Sequence, residues 1–261
     1  MNFSEKDLVI FDLDGTLSPS KCPIEADMAI LLVQLLGLKK VAVISGSGYA
    51  VFETNILSQL PSGSVNLTNL LLLPTSGTRL LVWRGTWCEE YAEHLSPTEK
   101  QAIMIALNQA LVEAGHDAPF RTYGPVIEDR GSQITFSANG QNAPLAIKQT
   151  WDPDGQKRAK IAESLRDRLP TFDIRIGGTN SIDITRRGVN KAYGIRKLEE
   201  YLKMSIDKML FVGDKLEFGG NDYPAKTTGV DCIQVSGPSE TAELVTKWIK
   251  ETGVTTQTQN S

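Results

Sequence analysis

The stretch LVIFDLDGTL, residues 8–17, joins a short apolar run to two carboxylates, Asp12 and Asp14, and to Gly15. The apolar run has the length and composition of a buried strand, and the glycine favours a turn after it. In open parallel sheets, ligands bind at the carboxyl ends of the strands, where these two acids would lie. A capping aspartate followed by a turn aspartate is the structural alternative, and the apolar strand directly before them argues against it. We therefore expect a ligand site here.

The same alternation of apolar runs and helical spacing extends outward from this stretch and returns near the end of the chain. The predicted helices and strands are 25–37 (helix), 40–44 (strand), 49–57 (helix), 191–202 (helix), 209–212 (strand), 231–235 (strand) and 240–250 (helix). Strands that alternate with helices predict a parallel sheet with crossover helices. The predicted fold class is therefore α/β, with a doubly wound parallel-sheet core.

The middle of the chain has a different pattern. It predicts helices at 97–114 and 155–168 and strands at 126–129, 133–137, 173–176 and 181–185. This order predicts an α+β unit inserted into the core. The expected domains are a core from residues 1–84 and 188–252, an inserted cap at 85–187, and a disordered tail at 253–261 that is rich in Thr, Gln and Asn.

Composition restricts the classes of partner. The chain has 261 residues, a formal net charge of -4 and a pI near 5.4, so it lacks the basic surface expected for nucleic acid or an anionic membrane. A small-molecule partner is the better expectation. The polar first residues and the short apolar runs do not fit a secretion signal or a membrane span, which predicts a cytoplasmic protein. The three scattered cysteines are expected to be reduced.

A second acidic stretch, GDKLEFGGND at residues 213–222, also follows an apolar run. Acids at two strand ends of one sheet, here Asp214 and Asp222 together with Asp12, form a site for a hard cation, and Mg²⁺ suits carboxylates, waters and a substrate phosphate. Without a cation these acids would repel one another and a phosphate. An ordinary Gly-Asp turn explains either half alone but not the pair.

Two smaller features are consistent with a phosphate site. Ser45 and Gly46 follow the second core strand, where a hydroxyl and backbone N–H groups can hold phosphate oxygens, although such a turn is common without function. Lys191 begins the helix after the insert, where a cation could neutralise the acids and the phosphate. Taken alone, Lys191 would be an ordinary surface charge.

Together these elements resemble the haloacid dehalogenase superfamily of phosphotransferases. The matching elements are, in order, residues 12–16, Ser45, Lys191, residues 213–214 and residues 221–222. The position of the insert is similar to the large α+β cap class of that superfamily. Within this class the chain is most similar to the eukaryotic-type phosphomannomutases, both in residues 213–222 and in residues 181–183 of the insert.

The resemblance implies a set of roles. Asp12 attacks phosphorus and carries an aspartyl-phosphate, and Asp14 protonates the leaving oxygen. The implied metal ligands are Asp12, Asp14 through its backbone carbonyl, and Asp214, with Asp222 supporting the ion. Ser45, Gly46 and Lys191 are implied to hold the phosphate. The implied substrate-binding residues are Lys21, Arg130, Gln141, Lys148, Ser181 and Asp183.

Departures from the mutase pattern leave the reaction open. Where the mutases carry further arginines, this chain has Lys21, Gln141 and Lys148. A lysine keeps the positive charge but cannot make the bidentate contact of a guanidinium, and a glutamine has no charge. A phosphomannomutase that uses a hexose 1,6-bisphosphate activator is the first expectation, and a sugar-phosphate phosphatase is the second. A sugar-phosphate sensor without catalysis is the third. Mannose or glucose preference, and a homodimer through the cap, are left open.

Overall fold

The structure is a computed structural model that describes residues 3–61, 65–116, 121–177 and 179–258. It divides into two compact units: unit 1, which comprises Met1–Tyr91 and Asn190–Ser261, and unit 2, which comprises Ala92–Val189. The insert predicted from the sequence begins at residue 85, and unit 2 begins later because the intervening strand belongs to the sheet of unit 1. Within the described ranges, no helix is both long enough and apolar enough to cross a membrane.

The helices and strands follow one another in the alternating order that the sequence predicts at both ends of the chain. The strands are β1 (Leu8–Asp12), β2 (Lys40–Ile44), β3 (Leu70–Leu73), β4 (Arg79–Trp83), β5 (Trp87–Ala92), β6 (Ile127–Asp129), β7 (Gln133–Ser137), β8 (Phe172–Gly177), β9 (Ser181–Arg186), β10 (Met209–Gly213) and β11 (Asp231–Gln234). The helices are α1 (Ala26–Leu36), α2 (Tyr49–Asn55), α3 (Pro97–Glu113), α4 (Leu145–Trp151), α5 (Gln156–Arg168), α6 (Lys191–Leu202), α7 (Tyr223–Lys226) and α8 (Pro238–Thr258).

Unit 1 is built on a seven-stranded sheet in the order β11-β10-β1-β2-β3-β4-β5. The five strands from β11 to β3 are parallel, and β4 joins β3 in the antiparallel direction. β1 lies between β10 and β2, so the carboxyl ends of these three strands lie side by side at one edge. The predicted α/β fold class with an additional α+β unit is confirmed.

Both faces of this sheet are covered, which explains why its strands are continuous apolar runs rather than alternating ones. In β1, Val9 and Phe11 join a core that also contains Leu32 of α1 and Trp248 of α8. The alternate residues Leu8 and Ile10 join a second core that contains Ile195 of α6. The strand is thus held from both sides, and the residue that ends it is fixed in position.

Unit 2 contains a four-stranded antiparallel sheet in the order β6-β7-β9-β8. One face carries apolar side chains such as Phe136 and Ile184, which pack with Ile103 of α3 and Ile161 of α5. Because side chains alternate along a strand, the intervening polar residues lie on the opposite face. Unit 2 therefore has one buried apolar face and one polar face.

The structure also contains elements that the sequence pattern did not predict: β3, β4, β5, α4 and α7. At the other end of the chain, α8 continues to Thr258, whereas a disordered tail is predicted from residue 253. Extension of an existing helix costs far less than starting one, so the weak helix formers after residue 252 can still follow the preceding turns. Residues 259–261 of that predicted tail lie outside the described residues.

Candidate active site

The candidate site of unit 1 lies at the carboxyl edge of its parallel sheet. Asp12 is the last residue of β1, Ser45 directly follows β2, and Asp214 directly follows β10. The parallel register aligns Asp12 with Ile44, the residue before Ser45. Three neighbouring strands therefore present a carboxylate, a hydroxyl and a second carboxylate at one edge, where parallel sheets bind ligands.

A buried lysine joins two of the acids in this site. The Nζ atom of Lys191 donates to Oδ1 of Asp12 at 2.5 Å and also contacts Oδ1 of Asp222. All three side chains are at most 3% exposed. Asp222 is further held by the backbone N–H of Lys215, which donates to its Oδ2 atom at 3.0 Å. One positive charge is thus shared by two carboxylates in a place that excludes water.

This shortage of positive charge affects the ionisation of the acids. Burial raises the pKa of Asp12 to about 7, although the nearby charge of Lys191 opposes the shift and that of Asp222 adds to it. Burial also raises the pKa of Asp214. The same two carboxylates, Asp12 and Asp222, raise the pKa of Lys191 against its burial, so the lysine keeps its charge. A further cation would therefore be stabilised at this site.

The donor set fits a hard cation. One oxygen of each of Asp12, Asp214 and Asp222 lies within 4.8 Å of the other two. Oδ1 of Asp214 is buried and has no hydrogen-bond partner among the described residues. At Gly15, which has a φ of +88°, a Cβ atom would overlap the Asp214 carboxylate, so only glycine permits this close approach. Carboxylate oxygens without protein partners are suitable ligands for Mg²⁺.

Asp14, predicted as a general acid and, through its backbone carbonyl, as a metal ligand, is not one of the three clustered carboxylates, although its charge helps to raise the pKa of Asp12. Its Oδ1 atom accepts a hydrogen bond from the backbone N–H of Lys21 at 2.5 Å, and its side chain is half-buried. The side chain of Lys21 is exposed, and its backbone has a φ of +62°. The Asp14 carboxylate thus holds the loop after β1 and stays accessible for proton transfer.

The predicted phosphate loop after β2 is braced by a turn that the sequence reasoning missed. Oγ of Ser45 accepts from the N–H of Ser47 at 3.1 Å, and the backbone carbonyl of Ser45 accepts from the N–H of Ser76 at 2.8 Å. Thr75 and Ser76 have φ values of +51° and +58°, a conformation that costs energy in residues with a Cβ atom. Backbone strain of this kind concentrates at functional sites, and no local pattern in the sequence announces it.

A close approach of two glycines positions Lys191. Gly194 lies one turn after Lys191 in α6, and a Cβ atom on it would lie 3.1 Å from the Ser76 carbonyl and 3.3 Å from Cα of Gly77. A Cβ atom on Gly77 would in turn overlap the backbone of Gly194. Helix α6 therefore packs directly against the turn that braces Ser45. Gly77 and Gly194 are the sequence feature that could have indicated this contact.

Two of the predicted substrate-binding residues lie together on the polar face of unit 2. Ser181 and Asp183 are two residues apart on β9, and Asp183 is paired in register with Thr135 of β7. Oγ1 of Thr135 donates to Oδ1 of Asp183 at 2.8 Å, and Oγ of Ser181 donates to the carbonyl of Gly177 at 2.7 Å. Thr135 was not predicted, although its position on the polar face followed from strand alternation.

The other predicted cap residues each have their own protein contacts. Arg130 forms an ion pair with Glu128 at 2.7 Å. Lys148 is only 6% exposed, and its Nζ atom donates to the backbone carbonyl of Gln141 at 2.7 Å. The side-chain Nε2 atom of Gln141 is buried without a hydrogen-bond partner among the described residues. Unit 2 thus contains a buried ammonium next to an amide donor that is unsatisfied.

The sequence of the chain is similar to those of phosphomannomutases. The model of the family "Eukaryotic phosphomannomutase" matches residues 100–251. The chain is 30% identical over 233 residues to the phosphomannomutase of Schizosaccharomyces pombe, with 84% of each chain covered. It is 26% identical over 249 residues to the phosphomannomutase of Saccharomyces cerevisiae, which covers 92% of this chain and 93% of the yeast protein.

Comparison by structure supports the fold. The IMP-nucleotidase of Plasmodium falciparum is similar with a TM-score of 0.69 and 17% identity, covering 92% of this chain and 68% of that one. A haloacid dehalogenase-like hydrolase from Bacteroides thetaiotaomicron is similar with a TM-score of 0.64 and 15% identity, covering 93% and 99% of the two chains. At this identity the likeness concerns the fold alone.

Proposed function

Because the chain belongs to the eukaryotic phosphomannomutase family, we propose that it is a Mg²⁺-dependent phosphotransferase that interconverts mannose 6-phosphate and mannose 1-phosphate. The observation that supports this most directly is the buried contact of Lys191 with Asp12 at the end of β1. A carboxylate held in this way is fixed in orientation and shielded from water. Both properties favour attack on phosphorus over mere binding.

In the proposed reaction, Oδ1 or Oδ2 of Asp12 forms a bond to phosphorus as the bond to the sugar oxygen breaks. Asp14 gives its proton to the departing oxygen, and the half-buried position of its side chain is consistent with this role. In the second half of the cycle Asp14 removes the proton of the accepting hydroxyl, which then takes the phosphoryl group from Asp12. Lys191 balances the charge on the phosphoryl oxygens, and the hydroxyl of Ser45 donates a hydrogen bond to one of them.

The acids of the site would hold the Mg²⁺ ion. Asp12, Asp214 and Asp222 would supply the clustered carboxylates, and Oδ1 of Asp214 is buried without a hydrogen-bond partner among the described residues. When bound, the ion supplies positive charge that offsets the repulsion between the acids and the phosphate. The charged Lys191 side chain would orient Asp12, since Asp12 and Asp222 raise the pKa of Lys191 against the effect of its burial.

The polar face of unit 2 is proposed to select the sugar. Asp183 can accept hydrogen bonds from two adjacent sugar hydroxyls, while Thr135 holds it in place. Arg130 and Lys148 are proposed to bind the phosphate that does not react, and Ser181 and Gln141 to complete this set. Lys21 is proposed, from the family resemblance alone, to bind substrate with its exposed ammonium. Each of these roles is a proposal from the family resemblance and from the polarity of the residues.

A specific observation favours a second candidate, a sugar-phosphate phosphatase. A mutase must hold a bisphosphate firmly while it turns over, whereas a phosphatase needs only one phosphate contact. Gln141 carries no charge, and the Nζ atom of the nearby Lys148 is buried and donates one of its hydrogen bonds to a backbone carbonyl. A weakened grip on the second phosphate would release the sugar and let water take the phosphoryl group from Asp12.

One assay separates the two candidates. The protein is incubated with mannose 1-phosphate or glucose 1-phosphate and Mg²⁺, with and without the corresponding hexose 1,6-bisphosphate, and both 6-phosphate and free phosphate are measured. A mutase forms 6-phosphate and is activated by the bisphosphate. Steady release of free phosphate without isomer would overturn the mutase in favour of the phosphatase. The Asp12→Asn variant is the control, and it should lose all but a residual rate because its amide cannot form the acyl phosphate.

Other properties stay predictions. A hexose 1,6-bisphosphate activator follows from the mutase reaction. A cytoplasmic location is a prediction from the sequence, and a homodimer through unit 2 is left open.

A further inference from the structure

Unit 2 has a second candidate ligand site beside β8, next to the strand that carries Asp183, since Arg175 of β8 pairs in register with Asp183. A cavity of about 370 Å³ lies beside β8 and is lined by Arg166, Phe172, Asp173, Ile174, Arg175 and Arg187. Its volume is in the range of small-molecule sites, about 300–1,000 Å³. None of its lining residues belongs to the predicted catalytic, phosphate-binding, metal or substrate set. A ligand bound here would therefore be held by a different set of residues.

The fold brings the three arginines together from three elements. Phe172 and Ile174 are buried in the core of unit 2, so Arg175, which alternates with them on β8, extends to the opposite face. β8 is the edge strand of its sheet, and the Ile174 carbonyl accepts a hydrogen bond from Nη2 of Arg166 at 3.2 Å. Arg187 follows β9 and lies beside them in the lining of the cavity.

The positive charge of this cluster exceeds the negative charge that the protein supplies. Asp173 is the one acid of the lining, and its Oδ2 atom is 3.4 Å from Nη2 of Arg175 and accepts from the N–H of Gly188 at 2.9 Å. Arg166 has no carboxylate partner among the described residues, since its hydrogen bond goes to a carbonyl. The guanidinium of Arg187 has no partner in the part of the chain that the structure describes. Two of the three charges are therefore uncompensated.

We propose that this arginine cavity binds a small organic phosphate, a phosphate monoester dianion. Guanidinium groups match phosphate oxygens in bidentate geometry, and two uncompensated guanidiniums match the charge of the dianion. The volume of the cavity leaves room for the organic part beside the phosphate. A carboxylate ligand would balance only one of the two charges. The cavity borders the segment that leads to Asn190, since Arg175 also donates to the Val189 carbonyl.

The test uses the full chain and hydrogen exchange, because the exchange of separate peptides reports where a ligand binds. Glycerol 3-phosphate and inorganic phosphate are the probes, since neither is a hexose phosphate. Peptides covering residues 172–177 and 186–189 should become protected as either probe is added, and the dependence on concentration gives Kd. Tighter binding of glycerol 3-phosphate supports an organic ligand, and equal binding supports the same phosphate chemistry with inorganic phosphate as its source.

Arg187→Gln is the informative variant, because this side chain has no hydrogen bond or ion pair with the described residues that the change would remove. The Kd of this variant for glycerol 3-phosphate, measured from the protection of these peptides, should be about tenfold or more above that of the wild type. Lys160→Gln is the matched control: Lys160 is exposed on α5, and the change removes the same charge from the same unit. Its Kd should change by less than about twofold, because salt screens distant exposed charges. Absence of protection at these peptides, or equal loss of binding in both variants, would overturn the proposal. Activity of the Asp12 site does not enter this test, so the two proposals can fail separately.

Discussion

At the scale of residues, the site of unit 1 is defined by a charge imbalance. Lys191 is the cation that contacts Asp12 and Asp222, and Asp214 adds a third carboxylate within 4.8 Å. Burial then makes full ionisation of these acids unfavourable, as the raised pKa values of Asp12 and Asp214 show. A proton and a divalent cation are alternative ways of correcting the imbalance, so the two must compete.

This competition predicts that Mg²⁺ binds more weakly as the pH falls. A raised carboxylate pKa means that the metal-free site holds a proton more strongly than a free carboxylate does, and the proton must leave before the metal binds. At pH values below the Asp12 pKa of about 7, the Kd for Mg²⁺ should rise by about tenfold for each unit by which the pH falls, because binding of the metal displaces one proton. Calorimetric titration with Mg²⁺ at pH 8, 7 and 6 measures this directly.

Two variants complete the experiment. Asp12→Asn cannot take up the proton, so its affinity for Mg²⁺, although lower, should vary less with pH than that of the wild type. Asp214→Ala should weaken binding at every pH because it removes a ligand. A wild-type Kd that is constant between pH 8 and 6 would contradict the assignment of the competing proton to this cluster.

At the scale of elements, the position of Lys191 depends on how closely α6 approaches the turn at Thr75–Gly77. Gly194→Ala would usually favour a helix by about 1 kcal/mol. Here the new Cβ atom would overlap Cδ1 of Ile44 and lie 3.1 Å from the Ser76 carbonyl, and overpacking of this kind costs about 1–3 kcal/mol. We expect α6 to shift outward, and the rate constant kcat to fall by about 10- to 100-fold because Lys191 moves with it.

The control for this prediction is Gly237→Ala, where no atom lies within 4 Å of the new Cβ. It should keep both activity and stability close to wild type. Circular dichroism of Gly194→Ala should show a folded protein, so that the loss of rate can be assigned to the site. Wild-type kcat in a folded Gly194→Ala protein would show that the close approach does not position Lys191.

In unit 2, the start of α3 is fixed by a capping box that is tied to β9. Ser96 and Glu99 exchange hydrogen bonds at the first turn, and Glu99 also accepts from Arg186 at 2.7 and 2.8 Å. These contacts lower the pKa of Glu99 to about 2, and the hydrogen bond from Arg186 makes the largest contribution. A lowered carboxylate pKa contributes stability that is fully present above the usual value of 4.5 and is lost as the pH falls toward 2.

Glu99→Gln should therefore lower the free energy of unfolding near neutral pH by about 1 kcal/mol, a typical contribution of a cap with a partly exposed ion pair. Urea unfolding of variant and wild type should give curves that differ at pH 7 and converge toward pH 2, where the wild-type carboxylate is itself protonated. Glu163→Gln, an exposed residue of α5 with no side-chain hydrogen bond or ion pair in the described chain, is the control. A difference that persists unchanged at pH 2 would contradict the assignment to ionisation.

At the scale of the whole molecule, the fold was predictable where burial leaves a simple pattern. β1 and β10 are buried throughout and β2 is buried from Val41 onward, so their apolar runs were clear in the sequence. β5 was missed because it is the edge strand of its sheet and is half-buried, with Glu89 and Glu90 in its centre. Such a mixed strand has neither a continuous apolar run nor strict alternation.

The site was predictable to the extent that it follows strand ends. Asp12 and Asp214 each terminate an apolar run, and the structure brings them together with Asp222. The strained turn at Thr75–Gly77 was not predictable, because its positive φ values depend on hydrogen bonds to Ser45 and Ser47, about 30 residues earlier in the chain. The catalytic and substrate-binding roles of all these residues stay predictions until they are measured.

The last prediction tests whether the proposed reaction needs unit 2. An isomerisation must hold the non-reacting phosphate of the sugar, and we assign this contact to Arg130, which the structure shows paired with Glu128. Arg130→Ala should lower kcat/KM for the hexose phosphate by about 30- to 1000-fold, which corresponds to about 2–4 kcal/mol for a charge-assisted contact. Hydrolysis of nitrophenyl phosphate, which has no second phosphate, should hardly change. Arg168→Ala is the matched control, because Arg168 is also an arginine of unit 2 that is paired with a glutamate, Glu113. An equal loss with both phosphate esters would mean that Arg130 supports the fold and not the substrate.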